Sequence, residues 1–285
     1  MKRFAFFIGG TATLASALSS RAYAQRAPQF PSNSYMAMIQ QRGSLIVGVK
    51  PDILGVGFQN PMTGKFEGFT VDLAADLAAR IFGSGGHVTY KPTTASTRIA
   101  MLQQGLVDID IETLFITKQR AEQVDFAEPY WGAPSLIFVK KSNNSIKSLQ
   151  DLTGKRIAAT KGSAAERAFE NPASGYPKAD LALFDSIAEV VDAVRIGRAD
   201  AAVFDEVFGL AAIKASPDFK FVGKPVTYDY YGIALAKGHP EFLTFVNQWL
   251  RDIKTHGKWA ALYRKNLPGK VPEPPMPPYD KAAYK

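Results

Sequence analysis

Cysteine is absent from the chain of 285 residues, and histidine occurs only as His87, His239 and His256. Without cysteine there is no disulfide, no thiolate metal ligand and no lipid attachment through an N-terminal cysteine. The three histidines are too far apart in sequence to form a zinc motif. The sequence therefore predicts no metal and no cofactor, and stability must come from the packing of an apolar core.

Catalytic and nucleic-acid-binding motifs are missing as well. The chain contains neither a G-x-S-x-G elbow nor a Walker-type phosphate loop. The net charge is +8, but lysine and arginine form no run and no stripe interleaved with aromatic residues. We therefore predict no nucleic-acid partner, while the moderate positive charge suits either an anionic membrane surface or acidic ligands.

Only one long apolar stretch stands out, and it lies at the N-terminus. Lys2 and Arg3 precede an apolar run over residues 4–18, and an Ala-Tyr-Ala cleavage signal follows at residues 22–24. The run is too short and too rich in small residues to span a bilayer. We interpret residues 1–24 as a cleaved signal peptide, which predicts export to the periplasm without a lipid anchor.

The exported part contains an early apolar strand. Residues 45–49 are apolar and lie between Gly43 and Pro51, a pattern typical of a buried parallel strand. Such a strand places Lys50 at its carboxyl end, where open α/β sheets bind ligands. Farther along the chain, Thr70 is the expected N-cap of an amphipathic helix.

Internal sequence similarity indicates two similar units. Residues 46–50 resemble residues 157–161, and residues 105–108 resemble residues 197–200. In each unit strands alternate with helices, which favours a mostly parallel sheet flanked by helices. We therefore predict an α/β protein with two such units.

One stretch organises the rest of the chain. Residues 107–111 alternate like a strand, and Thr117 offers a hydroxyl N-cap to a following helix. Arg120 then lies in the first helical turn, where the helix dipole disfavours a cation. This placement indicates either a nearby anion or an ion pair with Glu122 or Asp125.

Two motifs carry a resemblance to a known family. The first, I-T-x-x-R followed by V-D-F-A-E-P-Y, spans residues 116–130, and the second, G-F-T-V-D-L-A, spans residues 68–74. With the order of the surrounding segments, they resemble the polar amino-acid binding proteins of ABC importers, the bacterial extracellular solute-binding proteins of family 3. The resemblance implies a two-lobed periplasmic-binding-protein fold of type II, in which two crossing strands join the lobes.

The resemblance also implies where the lobes begin and end. Lobe 1 is predicted to comprise residues 25–134 and 232–270, and lobe 2 residues 135–231. Residues 271–285 are rich in proline, and we interpret them as an extended surface tail.

The same resemblance implies roles for single residues. Arg120 would grip the α-carboxylate of the ligand, and Asp205 its ammonium group, because a zwitterion needs one cation and one carboxylate. Phe58 would cover the aliphatic part of the ligand unless it is a core aromatic. Lys50 and Arg98 would bind a distal carboxylate unless they are solvated or paired with an acid. The predicted binding residues are Lys50, Phe58, Arg98, Thr113, Phe115, Arg120, Gly162, Ser163, Ala164 and Asp205.

Three positions depart from the family pattern. Phe115 and Ala164 replace hydroxyl residues, which leaves Ser163 and backbone N–H groups for the α-carboxylate. Glu112 replaces a small residue. It either neutralises one of the two cations implied for the distal carboxylate, or it selects a cationic or hydroxylated ligand. The sequence leaves both alternatives open.

The sequence thus predicts the receptor of an ABC importer, a monomer that closes around an amino acid or an amino-acid-like solute. The cations favour an acidic ligand such as glutamate, aspartate or an opine, and the partner would be an inner-membrane permease. An enzyme is not predicted, although exported cyclohexadienyl dehydratases share the implied fold and would use Glu166. A sensory ectodomain is a third alternative, but no membrane segment follows that could transmit a signal.

Overall fold

The computed structural model describes residues 27–83, 87–267, 272 and 274–276. The predicted signal peptide and most of the Pro-rich tail lie outside these residues. Two five-stranded sheets and one three-stranded sheet alternate with helices along the chain. Within the described part, no helix combines the length and the apolar character that a membrane span requires.

The first sheet collects strands from both ends of the chain. Its strands, in spatial order, are β5 (His87–Pro92), β1 (Ser44–Val49), β6 (Ile109–Asp110), β13 (Ala234–Leu235) and β7 (Asp125–Phe126). β1 pairs in parallel with β5 and β6, whereas β13 is antiparallel to both of its neighbours. Four of the five strands therefore run in one direction. The apolar run in β1 suits this central, parallel position.

The second sheet repeats this plan with the middle of the chain. Its strands, in spatial order, are β10 (Asp180–Phe184), β9 (Arg156–Thr160), β11 (Ala201–Asp205), β8 (Trp131–Lys140) and β12 (Phe219–Tyr231). β9 pairs in parallel with β10 and β11, and β8 is antiparallel to β11 and β12. The similarity of residues 46–50 and 157–161 thus corresponds to β1 and β9, each of which pairs in parallel with both of its neighbours.

A small antiparallel sheet follows β1 in the chain. It consists of β2 (Asp52–Ile53), β3 (Gly57–Gln59) and β4 (Phe66–Glu67). The α-helices are α1 (Tyr35–Arg42), α2 (Phe69–Phe82), α3 (Arg98–Gln103), α4 (Lys118–Ala121), α5 (Ala164–Glu170), α6 (Ile187–Arg195), α7 (Glu206–Ala215), α8 (Pro240–Thr255) and α9 (Lys258–Asn266).

The start of α2 differs from the prediction. Gly68 is the N-cap residue, and Thr70 lies inside the first turn, so the predicted cap at Thr70 is wrong. The buried Thr70 hydroxyl donates a hydrogen bond to the carbonyl oxygen of Val56, 2.9 Å away. This hydrogen bond therefore links the segment before β3 to α2.

β8 and β12 link the two sheets. The chain leaves the first sheet after β7 and returns to it at β13. The two linking strands pair with each other from Trp131 and Tyr231 to Lys140 and Phe219, with one irregularity in the register. The predicted α/β class and the two crossing strands are confirmed, whereas the limits of the lobes stay a prediction. Below, lobe 1 and lobe 2 denote the predicted parts that contain the first and the second sheet.

Aromatic side chains fill the core on both sides of the crossing strands. The ring of Phe69 packs against Trp131 and Trp259, at centroid distances of 5.5 Å and 5.4 Å. In the second sheet, Phe138 stacks on Phe219 at 4.7 Å. Each sheet therefore has its own aromatic packing, which agrees with a chain that has no disulfides to stabilise it.

Candidate ligand-binding site

A cavity of about 710 Å³ lies where the parallel strands of both sheets end. Lys50 follows β1, Thr160 ends β9 and Asp205 ends β11, and all three residues line the cavity. Carboxyl ends of parallel strands are where open α/β sheets bind their ligands. The predicted binding residues that line the cavity are Lys50, Arg98, Thr113, Phe115, Arg120, Ser163, Ala164 and Asp205.

The remaining two predicted residues, Phe58 and Gly162, are not among the lining residues. Phe58 is half-buried in β3 of the small sheet, so the structure does not bring it together with the others. Gly162 reaches the site through its carbonyl oxygen, which accepts hydrogen bonds from Arg120 and Arg167. Its contribution is thus to position two arginines.

Arg120 is buried in the cavity wall and makes contacts on both sides of the site. Its Nη1 donates to the carbonyl oxygen of Phe115 at 2.8 Å, and its Nη2 to that of Gly162 at 3.1 Å. Thr117 caps α4 as predicted, and its hydroxyl accepts a hydrogen bond from the Arg120 backbone N–H. Because the guanidinium binds carbonyl oxygens, the alternative ion pair with a neighbouring acid of the same segment is not observed.

The environment of Arg120 disfavours the positive charge of the Arg120 guanidinium group. Burial lowers the pKa of Arg120 well below its usual value, and the nearby positive charges of Arg98 and Arg167 lower it further. Glu112 and Asp205 act in the opposite direction. A bound anion would raise the pKa of Arg120 again, since an opposite charge within a few ångströms stabilises the ionised form.

Asp205 is the buried carboxylate of the cavity. Its Oδ2 accepts a hydrogen bond from the Tyr231 hydroxyl at 2.5 Å, and its Oδ1 accepts one from Ser135 at 3.2 Å. Burial raises the pKa of Asp205 to about 7. The two hydrogen bonds and Arg98 lower it, and Asp229 raises it. A carboxyl with this pKa is poised to respond to an arriving cation.

Phe115 and Tyr231 form a stacked pair where the chain returns from lobe 2. Their rings lie 4.6 Å apart with an angle of 4° between the planes. Their backbones form an isolated antiparallel bridge. The aromatic residue that replaces the family's hydroxyl therefore packs against the side chain that holds Asp205, and leaves Arg120 as the donor near the Phe115 carbonyl.

Glu112 is fully buried, and its partner is Arg98. The distance from Arg98 Nη1 to Glu112 Oε1 is 2.5 Å, so of the two alternatives for Glu112 the neutralisation of a cation is observed. Burial and Glu112 raise the pKa of Asp110 well above its usual range, although Arg98, the Thr93 hydroxyl and Lys50 lower it. Because Arg98 is already paired, it is less available for a ligand carboxylate.

Other polar atoms at the site are free to contact a ligand. The Thr113 hydroxyl is buried and has no hydrogen-bond partner in the described part of the chain. Lys50 lines the cavity, is only 4% exposed and forms no ion pair with any described residue. Contacts of Thr113 and Lys50 with a ligand therefore stay a prediction.

The predicted backbone anion site at the start of α5 is mostly occupied. Ser163 caps α5, and its hydroxyl accepts from the Glu166 backbone N–H at 3.1 Å. The Gly162 N–H donates to Glu166 Oε2 at 2.5 Å, and the Ser163 N–H donates to the Thr160 carbonyl oxygen. The carboxylate of Glu166 is thus tied to the loop, and Glu166 is not among the residues that line the cavity.

Beside the cavity, lobe 1 and lobe 2 also approach each other closely at Gly162 and at Asp52. A Cβ added to Gly162, whose φ is +72°, would lie 2.6 Å from the Ala95 carbonyl oxygen. Asp52 Oδ2 accepts a hydrogen bond from the Ile187 N–H at the start of α6, at 3.3 Å. The backbone of lobe 2 therefore approaches lobe 1 so closely that only glycine fits at position 162.

A family comparison agrees with this geometry. The family model described as bacterial extracellular solute-binding proteins, family 3, matches residues 45–269. The protein belongs to this family. The match covers both sheets, all ten predicted binding residues and the crossing strands, so the resemblance inferred from the two motifs is confirmed.

Similar members of the family are amino-acid binding proteins. The ABC transporter glutamine-binding protein GlnH of Bacillus subtilis is 33% identical over 231 residues, which are 81% of this chain and 83% of that protein. The solute receptor for L-cysteine of Neisseria gonorrhoeae has a TM-score of 0.76 and 30% identity, covering 81% of this chain and 93% of that one.

A third similar protein connects the family with an enzyme. It is an ancestral amino acid-binding protein described as a precursor of cyclohexadienyl dehydratase, with 36% identity and a TM-score of 0.74. The comparison covers 82% of this chain and all of that protein. With the L-cysteine receptor, it confirms the predicted two-lobed fold of the family.

The structure adds three side chains that sequence reasoning missed: Ser135, Arg167 and Tyr231. Ser135 and Tyr231 lie in the crossing strands and hold Asp205. Arg167 lies in α5 and lines the cavity. No motif singles out these residues: Ser135 and Tyr231 are distant in sequence from Asp205, and Arg167 meets Arg120 only in space. Among the described residues, no group of three or more histidine or acidic side chains is arranged to hold a metal ion.

Proposed function

We propose that the protein is a periplasmic receptor that binds an acidic amino acid, or a related solute such as an opine, and delivers it to an ABC importer. The observation that carries this proposal is the pair of buried groups Arg120 and Asp205 in one cavity. Arg120 can bind the α-carboxylate and Asp205 the ammonium group in a site dry enough for both contacts to count. The family and the names of the similar proteins support an amino-acid ligand.

The charge of the cavity supports an acidic ligand. Once a zwitterion has matched Arg120 and Asp205, the remaining lining carboxylate is Asp229. The remaining lining cations are Lys50, Arg98, Lys118 and Arg167, of which Arg98 is paired with Glu112. Positive charge is therefore in excess, and a second negative group on the ligand would balance it.

Closure of the two lobes is the proposed mechanism. A ligand that contacts lobe 1 through Arg120 and lobe 2 through Asp205 binds the closed state better than the open one, and so shifts the equilibrium toward closure. The receptor would act as a monomer, reach the periplasm through its signal peptide, and present the closed form to an inner-membrane permease.

An enzyme of the cyclohexadienyl dehydratase type is the second candidate, because one similar protein is described as a precursor of that enzyme. Glu166 would be its acid, but its carboxylate accepts the hydrogen bond from Gly162 N–H and does not line the cavity. We therefore expect no conversion of arogenate or prephenate. Recovery of both compounds unchanged after incubation would support the binding function, and product formation would favour the enzyme.

Calorimetry with a panel of solutes tests the proposed function. We expect glutamate, aspartate or an opine to bind at least tenfold more tightly than arginine, lysine and histidine, because each unmatched cation in a buried site disfavours a basic ligand. Thermal shifts provide an independent readout, since a ligand stabilises the state it binds. Tighter binding of the basic group would contradict the acidic assignment, and no binding of any amino acid would contradict the receptor function.

Gly162→Ala is expected to weaken ligand binding by about tenfold. The added Cβ would be 2.6 Å from the Ala95 carbonyl oxygen, so the closed state would be disfavoured. Gly154→Ala is the matched control, because Gly154 has a similar φ of +68° but an added Cβ would have nothing within 4 Å. Both variants should melt at lower temperature from backbone strain, and calorimetry should show weaker binding only for Gly162→Ala. Equal affinities in the two variants would contradict the closure mechanism.

A further inference from the structure

Arg167 is a cavity cation that has an unused donor. It lies in α5 and lines the cavity, and its Nη1 donates to the Gly162 carbonyl oxygen at 3.0 Å. Its Nη2 is buried and has no hydrogen-bond partner among the residues that the structure describes. A buried guanidinium N–H without a partner costs free energy, so a ligand atom that accepts from it would be favoured.

Arg167 and Arg120 stand side by side although they belong to different lobes. Both donate to the same oxygen atom, the Gly162 carbonyl, at 3.0 Å and 3.1 Å. Burial and the charge of Arg98 lower the pKa of Arg167, against the opposite effect of Glu166. Neither Arg167 nor Arg120 forms an ion pair with a carboxylate in the described part of the chain. The guanidinium groups of Arg167 and Arg120 thus lie next to each other at the cavity, and neither is paired with an acid among the described residues.

We propose that Arg167 is the specificity-determining residue of the site and binds the second negative group of an acidic ligand. The inference rests on the proposed receptor function, in which Arg120 and Asp205 already hold the zwitterion. Arg167 is then a cation next to Arg120 with a guanidinium donor, Nη2, that has no partner among the described residues. Because Arg167 lies beside Arg120, an acidic group a few bonds from the α-carboxylate can reach it.

Two other cations are less suited to this task. Arg98 is fixed by Glu112 at 2.5 Å, so its charge is already matched. Lys50 follows β1 in lobe 1, and its ammonium group cannot bind a carboxylate through two parallel hydrogen bonds. Arg167 also belongs to lobe 2, so a ligand whose second acid binds it would link the lobes through a further contact.

Matched ligand pairs test this assignment. Glutamate and glutamine, or aspartate and asparagine, have nearly the same shape and differ in the charge of the distal group. In Arg167→Met we expect the affinity for the acidic member to fall by about 30-fold or more, since a hydrogen bond to a charged group is lost. The affinity for the amide member should change by less than about threefold, so that the preference for the acid disappears.

Three variants complete the experiment. Arg195→Met removes an exposed arginine from lobe 2 and is the charge-matched control, which should bind like the parent. Arg167→Lys keeps the charge and should restore part of the preference for the acid. Lys50→Met removes another cavity cation that has no ion pair among the described residues, and it should lower the preference for the acid less than Arg167→Met does. Circular dichroism confirms that each variant is folded before its affinity is interpreted.

Several outcomes would overturn the assignment. Equal losses for the acid and the amide in Arg167→Met would mean that Arg167 shares the α-carboxylate with Arg120. A preference that survives in Arg167→Met but disappears in Lys50→Met would transfer the role to Lys50. A parent protein that binds amides or basic amino acids more tightly than acids would reject the acidic ligand as well as this inference. A parent that binds no amino acid would reject the receptor function itself.

Discussion

Replacing Arg120 by alanine is expected to weaken the binding of an amino acid by about 100-fold or more. Arg120 is 4% exposed, and the hydroxyl residues that could share the carboxylate are replaced by Phe115 and Ala164. Without the guanidinium, the α-carboxylate would be desolvated against an aromatic ring, at a cost of several kcal/mol. Isothermal titration calorimetry with the preferred ligand measures the loss directly.

Further variants separate binding by Arg120 from folding. Arg120→Lys should recover only part of the affinity, because an ammonium group cannot make a bidentate contact. The melting temperature of Arg120→Ala should fall by only a few degrees, since two carbonyl oxygens each lose one hydrogen bond of about 1 kcal/mol. Arg195→Ala on the surface of α6 should match the parent in affinity. If Arg120→Ala keeps its affinity but melts far lower, Arg120 is structural and the proposed site is wrong.

The affinity for an amino acid is expected to fall by about 50-fold between pH 7 and pH 5 because of Asp205. Its pKa of about 7 means that the free protein is increasingly protonated there as the pH falls. The ligand's ammonium group binds the carboxylate, so the affinity follows the ionised fraction of Asp205, which falls from about one half at pH 7 to about one hundredth at pH 5. Calorimetry over this range should show proton release on binding, and Asp205→Asn should abolish the pH dependence.

The stability of the unliganded protein should show the opposite trend. The pKa of Asp205 is higher in the folded protein than the value of about 3.9 in an unfolded chain. The folded state therefore holds this proton more tightly, and the resulting stabilisation is full below about pH 4 and is lost as the pH rises to 7. Thermal melts of the parent and of Asp205→Asn isolate this contribution by difference. A parent affinity that does not change with pH would contradict the role of Asp205.

Local signals in the sequence were sufficient to predict several secondary-structure elements and one helix cap. The apolar run bounded by Gly43 and Pro51 is β1, and the hydroxyl of Thr117 caps α4 as predicted. Both depend on residues that are adjacent in the chain, where periodicity and capping chemistry decide the structure.

Tertiary contacts override the local signals elsewhere. The alternation over residues 107–111 predicts a strand of five residues, but β6 contains only Ile109 and Asp110. The polar side of that segment is also buried, because Asp108 and Asp110 are 2% and 0% exposed. Thr70 likewise donates to a distant carbonyl instead of capping its helix. In each case a partner far away in sequence decides the outcome.

The candidate site was only partly predictable for the same reason. The family pattern implied Arg120 and Asp205, but Glu112 had two open alternatives, which the contact with Arg98 resolves. Arg167 carries no motif of its own, and its position beside Arg120 follows from the meeting of α5 and α4 at one carbonyl group. Such a pair can be found only when both lobes are placed in space.

The paired crossing strands restrict how the lobes can move. β8 and β12 are hydrogen bonded to each other along most of their length, so sliding one past the other would break many bonds at once. We expect bending near Trp131 and Tyr231, where the strands leave the first sheet, to change only a few backbone dihedral angles. The link should therefore behave as a single flexible joint, stiff against shear and soft in one bending direction. Arg120, Asp205 and Arg167 would then approach the ligand together, along one reproducible path.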